Sequence, residues 1–237
     1  MEYGCYTSMR VEPGYQVRGL DRHLGRLVRD CAAIFGGALD PDAVRAALRR
    51  ELDAKPLPVI ARVTLTDPHL DIARLGAPAN PAIHVTTRQA PRLPMPPLRV
   101  RTTMFTRQLA HIKHTGIMAA LYQRRQAQLD GYDDALFVTP LGEIAEGVTW
   151  NIGFIRDDQV LWPGGDALTG VTATLLGASQ VTPVHRDELG TMQAAFATNV
   201  SVAARPIAAI DDREFDVSHP ALAALTERYL AIDGQPI

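Results

Sequence analysis

The sequence predicts an α/β protein in two parts: a small α+β lobe over residues 1–107 and a larger lobe over residues 108–237. Three observations predict this. Helical periodicity and strand-like runs alternate along the whole chain. The length of 237 residues suits two compact lobes of roughly 100 residues each. A proline-rich run, PRLPMPP at 91–97, breaks the regular pattern, because proline lacks the N–H donor and fixes φ.

The elements follow in order. Residues 5–11 (CYTSMRV) read as a strand, with a turn at Glu12-Pro13-Gly14 and a short partner strand at 15–17. A helix begins at Leu20. Leu20, Leu24, Leu27, Val28 and Cys31 form one apolar face, Arg22, Arg26 and Arg29 a second stripe, and Gly36-Gly37 the stop. Asp40-Pro41-Asp42 starts another helix, with an N-cap, proline in the first turn and an acid behind it. Residues 58–66, 82–87 and 98–105 are strand-like, and 106–113 is a connector. In the second part, 116–129 reads as helix. Short strands are expected at 135–139, 142–145, 152–155 and 159–162. A helix over 169–179 is entered through Gly170, a strand at 195–198 leads to Arg205-Pro206-Ile207, and Ser218-His219-Pro220 opens a last helix.

Composition narrows the function classes. Hydrophobic residues make up 46%, enough for a real core, and the formal net charge is −2. That balance gives no basic field for nucleic acid and no polybasic patch for a membrane. No run approaches the ~20 apolar residues needed to span a bilayer. The start, MEYGCYTSMRV, lacks the pattern of a signal peptide, so a cytoplasmic protein is expected. Cys5 and Cys31 make no disulfide framework, and Cys31 reads as a small core residue. No His/Cys/Asp grouping has metal-ligand spacing, and no metal is expected. His23 and His84 read as structural.

Five features carry chemistry. Lysine is rare, and Lys113 stands between His111 and His114; a lysine can hold an aldehyde if burial or a neighbouring cation lowers its pKa. Glu143 and Glu146 flank a turn-like run, and in an extended segment they diverge, one to solvent and one inward. Gly170-Val171-Thr172 offers free N–H groups and a hydroxyl at a helix start, a pattern suited to an anion. Asn199 and Ser201 follow a strand and suit either a phosphate or a turn cap. Arg26 lies on a helix face. Each feature alone reads first as an ordinary solvated or capping residue.

Taken together and in order, these features resemble the class IV aminotransferases, the fold-type IV pyridoxal-phosphate enzymes. That family includes branched-chain and D-amino-acid aminotransferases and 4-amino-4-deoxychorismate lyases. The likeness runs through Gly4-Cys5-Tyr6-Thr7-Ser8-Met9-Arg10-Val11, His23-Leu24-Gly25-Arg26-Leu27, Ile112-Lys113-His114 and Gly131-Tyr132-Asp133-Asp134-Ala135-Leu136. It continues through Glu146-Gly147 with Trp150-Asn151-Ile152, Leu168-Thr169-Gly170-Val171-Thr172, and Thr198-Asn199-Val200-Ser201 before Pro206-Ile207.

The resemblance implies a fold-type IV architecture, with a pseudo-barrel in the larger lobe, and pyridoxal 5'-phosphate as cofactor. It implies that Lys113 holds the cofactor aldehyde and that Glu146 meets the pyridine nitrogen. Arg26, Gly170, Val171, Thr172, Asn199, Val200 and Ser201 would bind on the phosphate side, with Asn151 in the same cofactor set. It also implies a homodimer and small amino-acid and keto-acid substrates. The leading activity is transamination between an amino acid or amine and a 2-oxo acid. The alternative is 4-amino-4-deoxychorismate lyase, and a third reading is a non-catalytic homologue that binds the cofactor. Relative to the family the N-terminus is expected to be shortened, with Tyr3 where an acid is usual. Met118 stands where branched-chain enzymes carry tyrosine, and Ala173 where an arginine often follows. Arg10, Arg101, Arg107, Gln108 and His111 are candidate substrate contacts by position.

Overall fold

The computed structural model describes residues 3–237, so the first two residues of the expected N-terminal lobe lie outside the described part. In chain order the chain forms β1 (Gly4–Val11), β2 (Gln16–Val17), α1 (Leu20–Phe35), α2 (Pro41–Leu52), β3 (Val59–Thr66), β4 (Ala82–Gln89) and β5 (Leu98–Met104). Next come α3 (Met118–Leu129), β6 (Asp134–Val138), β7 (Ile144–Gly147), β8 (Asn151–Arg156), β9 (Gln159–Leu161) and α4 (Val171–Leu175). The last elements are β10 (Ala194–Asn199), β11 (Val202–Ile210), β12 (Arg213–Glu214), α5 (Pro220–Leu230) and β13 (Gln235–Pro236).

The chain divides into two compact units, and the division is not a single cut after residue 107. The first unit holds Met1–Ala90, Ile112–Gly116 and Asp233–Ile237; the second holds Pro91–His111 and Ile117–Ile232. Two pairings explain the difference. β5 lies between β6 and β11, parallel to both, so it belongs to the second unit's sheet. The segment around Lys113 bonds to β1: Tyr6 N donates to Lys113 O (2.9 Å) and Thr115 N to Gly4 O (2.9 Å). Lys113 therefore sits in the first unit and not in the expected second lobe.

In the first unit, β1, β3 and β4 form an antiparallel sheet. Strand alternation sends Cys5, Thr7, Met9 and Val11 to one face of β1, and each is fully buried. Ala61, Val63 and Leu65 lie beside them on β3. α1 and α2 supply the rest of this core through Leu20, Leu24, Leu27, Cys31, Val44 and Leu48. α1 runs between Gly19 and Gly36, both at positive φ, and α2 starts on Asp40, whose side chain accepts from Asp42 N. The other face of β1 carries Tyr6, Ser8 and Arg10.

The second unit is built on an eight-stranded sheet curled into a half-barrel, in the order β7-β6-β5-β11-β10-β8-β9 with β12 on β11. β6 shows why its sequence reads as one continuous apolar run. Ala135 and Phe137 pack with Ala120 and Ala127 of α3, while Leu136 and Val138 enter the opposite core with Val100, Ile152 and Phe154. α5 covers a third cluster through Leu222, Leu225 and Tyr229 against Phe196 and Trp162.

One expectation needs correction here. The helix expected over 169–179 spans only Val171–Leu175. Gly177 stops it at φ 100°, with Ala178 N bonded to Ala173 O (2.9 Å) and Gly177 N to Thr174 O (3.1 Å). This is the paired C-terminal closure that a left-handed glycine permits. Arg205-Pro206-Ile207, to which the strand at 195–198 was expected to lead, lies in the middle of β11, where Pro206 pairs with Phe196.

Candidate functional site

The candidate residues fall in both units. In the first, α1 turns three polar side chains toward the core at i, i+3 and i+7: His23, Arg26 and Asp30, which are 1%, 6% and 1% exposed. Arg22 and Arg29 on the same helix are exposed, so the arginine stripe expected from the sequence divides, and only Arg26 goes inward. Arg26 Nη2 lies 2.6 Å from Thr7 Oγ1, and Thr7 Oγ1 lies 2.8 Å from His23 Nδ1. Arg26 Nε is buried and finds no hydrogen-bond partner among the described residues. Burial pulls the guanidinium down to about 10, against the upward pull of Asp30. The His23 imidazole is pushed well below its ordinary 6.5 by burial, then by the charges of Arg26 and Lys113.

Lys113 is half-buried, and its backbone is fixed from two sides. Its N–H donates to Asp30 Oδ2 (2.9 Å), and its carbonyl accepts from Tyr6 N (2.9 Å). Lys113 Nζ stands 4.8 Å from the centroid of the Tyr6 ring, and the Arg62 guanidinium carbon stands 3.7 Å from the same centroid. A cation over an aromatic face is held by the ring quadrupole. The first unit thus gathers Arg26 and Lys113 with Tyr6, Thr7, Asp30 and Arg62, four residues that the sequence reading did not single out for a role in the site. The polar spacing on the buried side of α1 was a readable signal for Asp30. Thr7 and Arg62 carried none, because a lone threonine or arginine in a strand has no local signature.

In the second unit Glu146 is 6% exposed near the end of β7, whereas Glu143 is half-buried. Arg107 Nε lies 2.8 Å from Glu146 Oε1, and Arg107 Nη2 bonds to Ala110 O. Arg107, a candidate for the substrate, is therefore engaged with the carboxylate itself. Arg10 pairs with Glu12, and Arg101 with Asp130. Leu168 joins two of the expected residues through its backbone: its N–H donates to Glu146 Oε2 (3.2 Å), and its carbonyl accepts from Asn151 Nδ2 (2.7 Å).

Gly170 and Thr172 continue from there. A Cβ on Gly170 would come within 2.1 Å of Asn151 Oδ1, so only glycine allows that approach. Thr172 is 2% exposed, and its Oγ1 finds no partner among the described residues. Val171 and Ala173 beside it are buried. Asn199 ends β10, and Val200 and Ser201 form the turn into β11; all three are half-buried. Asn199 Oδ1 accepts from Ser201 N (2.8 Å), and Asn199 Nδ2 donates to Thr149 O (3.2 Å).

A buried hub supports the turn behind Glu146. Asp134 accepts from Arg124 twice, from Trp150 Nε1 (2.8 Å) and from Ala135 N (2.8 Å). The Trp150 ring in turn requires glycine at 147, where a Cβ would come within 1.9 Å of it. Among the described residues no helix is long and apolar enough to cross a membrane.

Comparison with known proteins gives the family. A probable branched-chain-amino-acid aminotransferase from Aquifex aeolicus is 30% identical over 102 residues, covering 38% of this chain and 33% of that protein. The chain thus matches only about a third of that relative's length. An aminotransferase from Brucella abortus, solved bound to the cofactor PLP, superposes with a TM-score of 0.84 at 20% identity, over 97% of this chain and 88% of its own. A candidate 4-amino-4-deoxychorismate lyase from Legionella pneumophila gives 0.82 at 20% identity, over 94% and 89%. At that identity these structures establish a shared fold. Residues 4–210 match the family described as amino-transferase class IV. The chain belongs to the class IV aminotransferase family.

Proposed function

We propose that this chain is a pyridoxal-phosphate-dependent aminotransferase that moves an amino group between an amino acid or amine and a 2-oxo acid. The observation that carries the reading is Lys113, one of only two lysines in the chain, fixed through its backbone by Asp30 and Tyr6. Two buried groups without partners fit the cofactor's phosphate: Arg26 Nε and Thr172 Oγ1 each have a donor to give to an anionic oxygen.

When bound, pyridoxal phosphate supplies an aldehyde that an amine can occupy and a ring that takes up the electron pair of a broken Cα–H bond. The chain's residues do the rest. Lys113 Nζ would hold the aldehyde, and as a free amine it is the group that would take the substrate α-proton. Glu146, its charge balanced by Arg107, keeps a proton on the ring nitrogen. Arg26 in the first unit and Gly170, Val171, Thr172, Asn199, Val200 and Ser201 in the second would serve the phosphate, and Asn151 orders the Leu168–Gly170 approach. Arg62, stacked on Tyr6 near the Lys113 amine, is the cation we assign to a substrate carboxylate.

The lyase reading keeps Lys113, Glu146 and the α-proton step. It is favoured by the Gly4–Thr7 start and the Ile112–His114 segment, which resemble the lyases at least as closely. The working unit is a homodimer in this reading, supported by large apolar side chains exposed on the second unit, among them Met104, Met118 and Leu141 at 70%, 65% and 79% exposure. Two buried free cysteines fit a cytoplasmic setting. Incubation with an amino donor and 2-oxoglutarate, with 4-amino-4-deoxychorismate in parallel, tests the activity. Glutamate from the first reaction supports transamination; pyruvate and 4-aminobenzoate from the second alone support the lyase. Cofactor binding without turnover on a broad amine panel contradicts both.

A further inference from the structure

Arg26 does not stand alone in its pocket. Its guanidinium has only donors, so at the 2.6 Å contact Thr7 Oγ1 must accept from Arg26 Nη2. The single hydroxyl proton of Thr7 is then available to His23 Nδ1, 2.8 Å away, which accepts it when the ring carries its proton on Nε2. That order of donation goes with a neutral His23 ring protonated on Nε2. All three side chains are enclosed, with Thr7 at 0%, His23 at 1% and Arg26 at 6% exposure.

A purely structural network would satisfy the guanidinium it contains. This one leaves Arg26 Nε buried and without a partner among the described residues. A buried N–H without a protein partner is costly, and it leaves a donor that an anionic ligand can take. His23 Nδ1 also lies 3.4 Å from Arg26 Nη2, so the ring packs against the guanidinium edge that Thr7 engages.

We propose that Thr7 and His23 are positioning residues for the cofactor phosphate: the relay Arg26–Thr7–His23 holds one edge of the guanidinium and leaves Nε for a phosphate oxygen. This rests on the cofactor reading above. It adds that affinity for the phosphate depends on a threonine and a histidine that need not touch the cofactor. Neutrality of His23 is consistent with the burial and the two neighbouring cations that depress its protonation.

The test compares two ligands, pyridoxal 5'-phosphate and phosphate-free pyridoxal, by equilibrium dialysis against wild-type protein and Thr7→Val. The relay predicts that Thr7→Val weakens pyridoxal phosphate by ~10–100-fold, the range for losing one hydrogen bond to a charged group, while pyridoxal affinity is unchanged. Thr7→Ser, which restores the hydroxyl, should bind as wild type. If Thr7→Val does not fold, His23 carries the same test. His23→Asn, which keeps an acceptor near the position of Nδ1, should retain discrimination for the phosphate, and His23→Leu should lose it. Equal affinity of wild type and Thr7→Val for pyridoxal phosphate, or parallel loss of both ligands with no rescue by Thr7→Ser, overturns the relay alone. Wild-type protein that binds neither ligand overturns the cofactor reading, and the relay's role with it.

Discussion

Arg107 Nε lies 2.8 Å from Glu146 Oε1, with the two side chains 9% and 8% exposed. Neither charge has much water, so each depends on the other. Removing one partner of such a pair leaves the other charge buried and uncompensated, at a cost of about 3–5 kcal/mol. Arg107→Met should therefore lower the urea midpoint strongly with little change in slope. The double variant Arg107→Met/Glu146→Gln should recover most of the loss, because no lone charge remains. Additive losses in the double variant would mean that the two side chains do not act as a pair.

His23 sets a pH limit on stability. Its folded-state pKa lies well below its ordinary 6.5, because burial, Arg26 and Lys113 all oppose the charged ring. Below pH 6.5 the unfolded chain therefore binds a proton that the folded chain refuses. Stability from this group is complete above 6.5 and falls as pH drops, by about 1.4 kcal/mol per pH unit until the folded group itself titrates. Urea titrations at pH 7.5 and 5.5 should show the decline in wild type and a smaller one in His23→Asn.

The thiols should be inert. Cys5 is fully buried, and its thiol is pushed up to about 12 by burial, with smaller contributions from Asp30 and Cys31. Cys31 is also raised by burial. At pH 8 only roughly one Cys5 thiol in ten thousand is thiolate, the form that reacts. Ellman's reagent should label neither cysteine in folded protein and both in guanidinium. Rapid labelling of the native protein would contradict the enclosed core of the first unit.

Gly170 tests the cofactor residues proposed in the second unit. A methyl group there meets Asn151 Oδ1 at 2.1 Å, and Asn151 is bonded to Leu168 O at 2.7 Å. Gly170→Ala should displace Asn151, destabilise the protein by about 1–3 kcal/mol and weaken pyridoxal phosphate binding. A variant with wild-type stability and affinity would show that this close approach is not needed.

Much of the fold was legible because its signals are local. Gly19 is silent in the sequence pattern, but the apolar spacing from Leu20 and the stop at Gly36 located α1 to the residue. Asp40-Pro41 did the same for α2. The early end of α4 was also within reach, since Gly177 stood inside the longer helix expected there. What could not be read depends on distant pairing. Lys113 joins the first unit because its backbone meets Tyr6 and Asp30, residues 107 and 83 positions away. No periodicity near Lys113 encodes that. Arg26 was named by family likeness, but its burial, in contrast to Arg22 and Arg29, follows from which side of α1 faces β1. The partners of Glu146 were hidden for a similar reason: Arg107 lies 39 residues before it, on an irregular stretch.

The central claim, that Lys113 holds the cofactor, has a direct measurement. The chain has two lysines, and Lys55 is engaged by Glu51 and Thr87. Wild-type protein is incubated with pyridoxal phosphate, reduced with borohydride to fix the pyridoxyl group on whichever amine holds it, digested and mapped by mass spectrometry. The account predicts one stoichiometric label on the peptide containing Lys113, absent in Lys113→Ala. Label confined to Lys55 or the N-terminal amine, or no label at saturating cofactor, would contradict it.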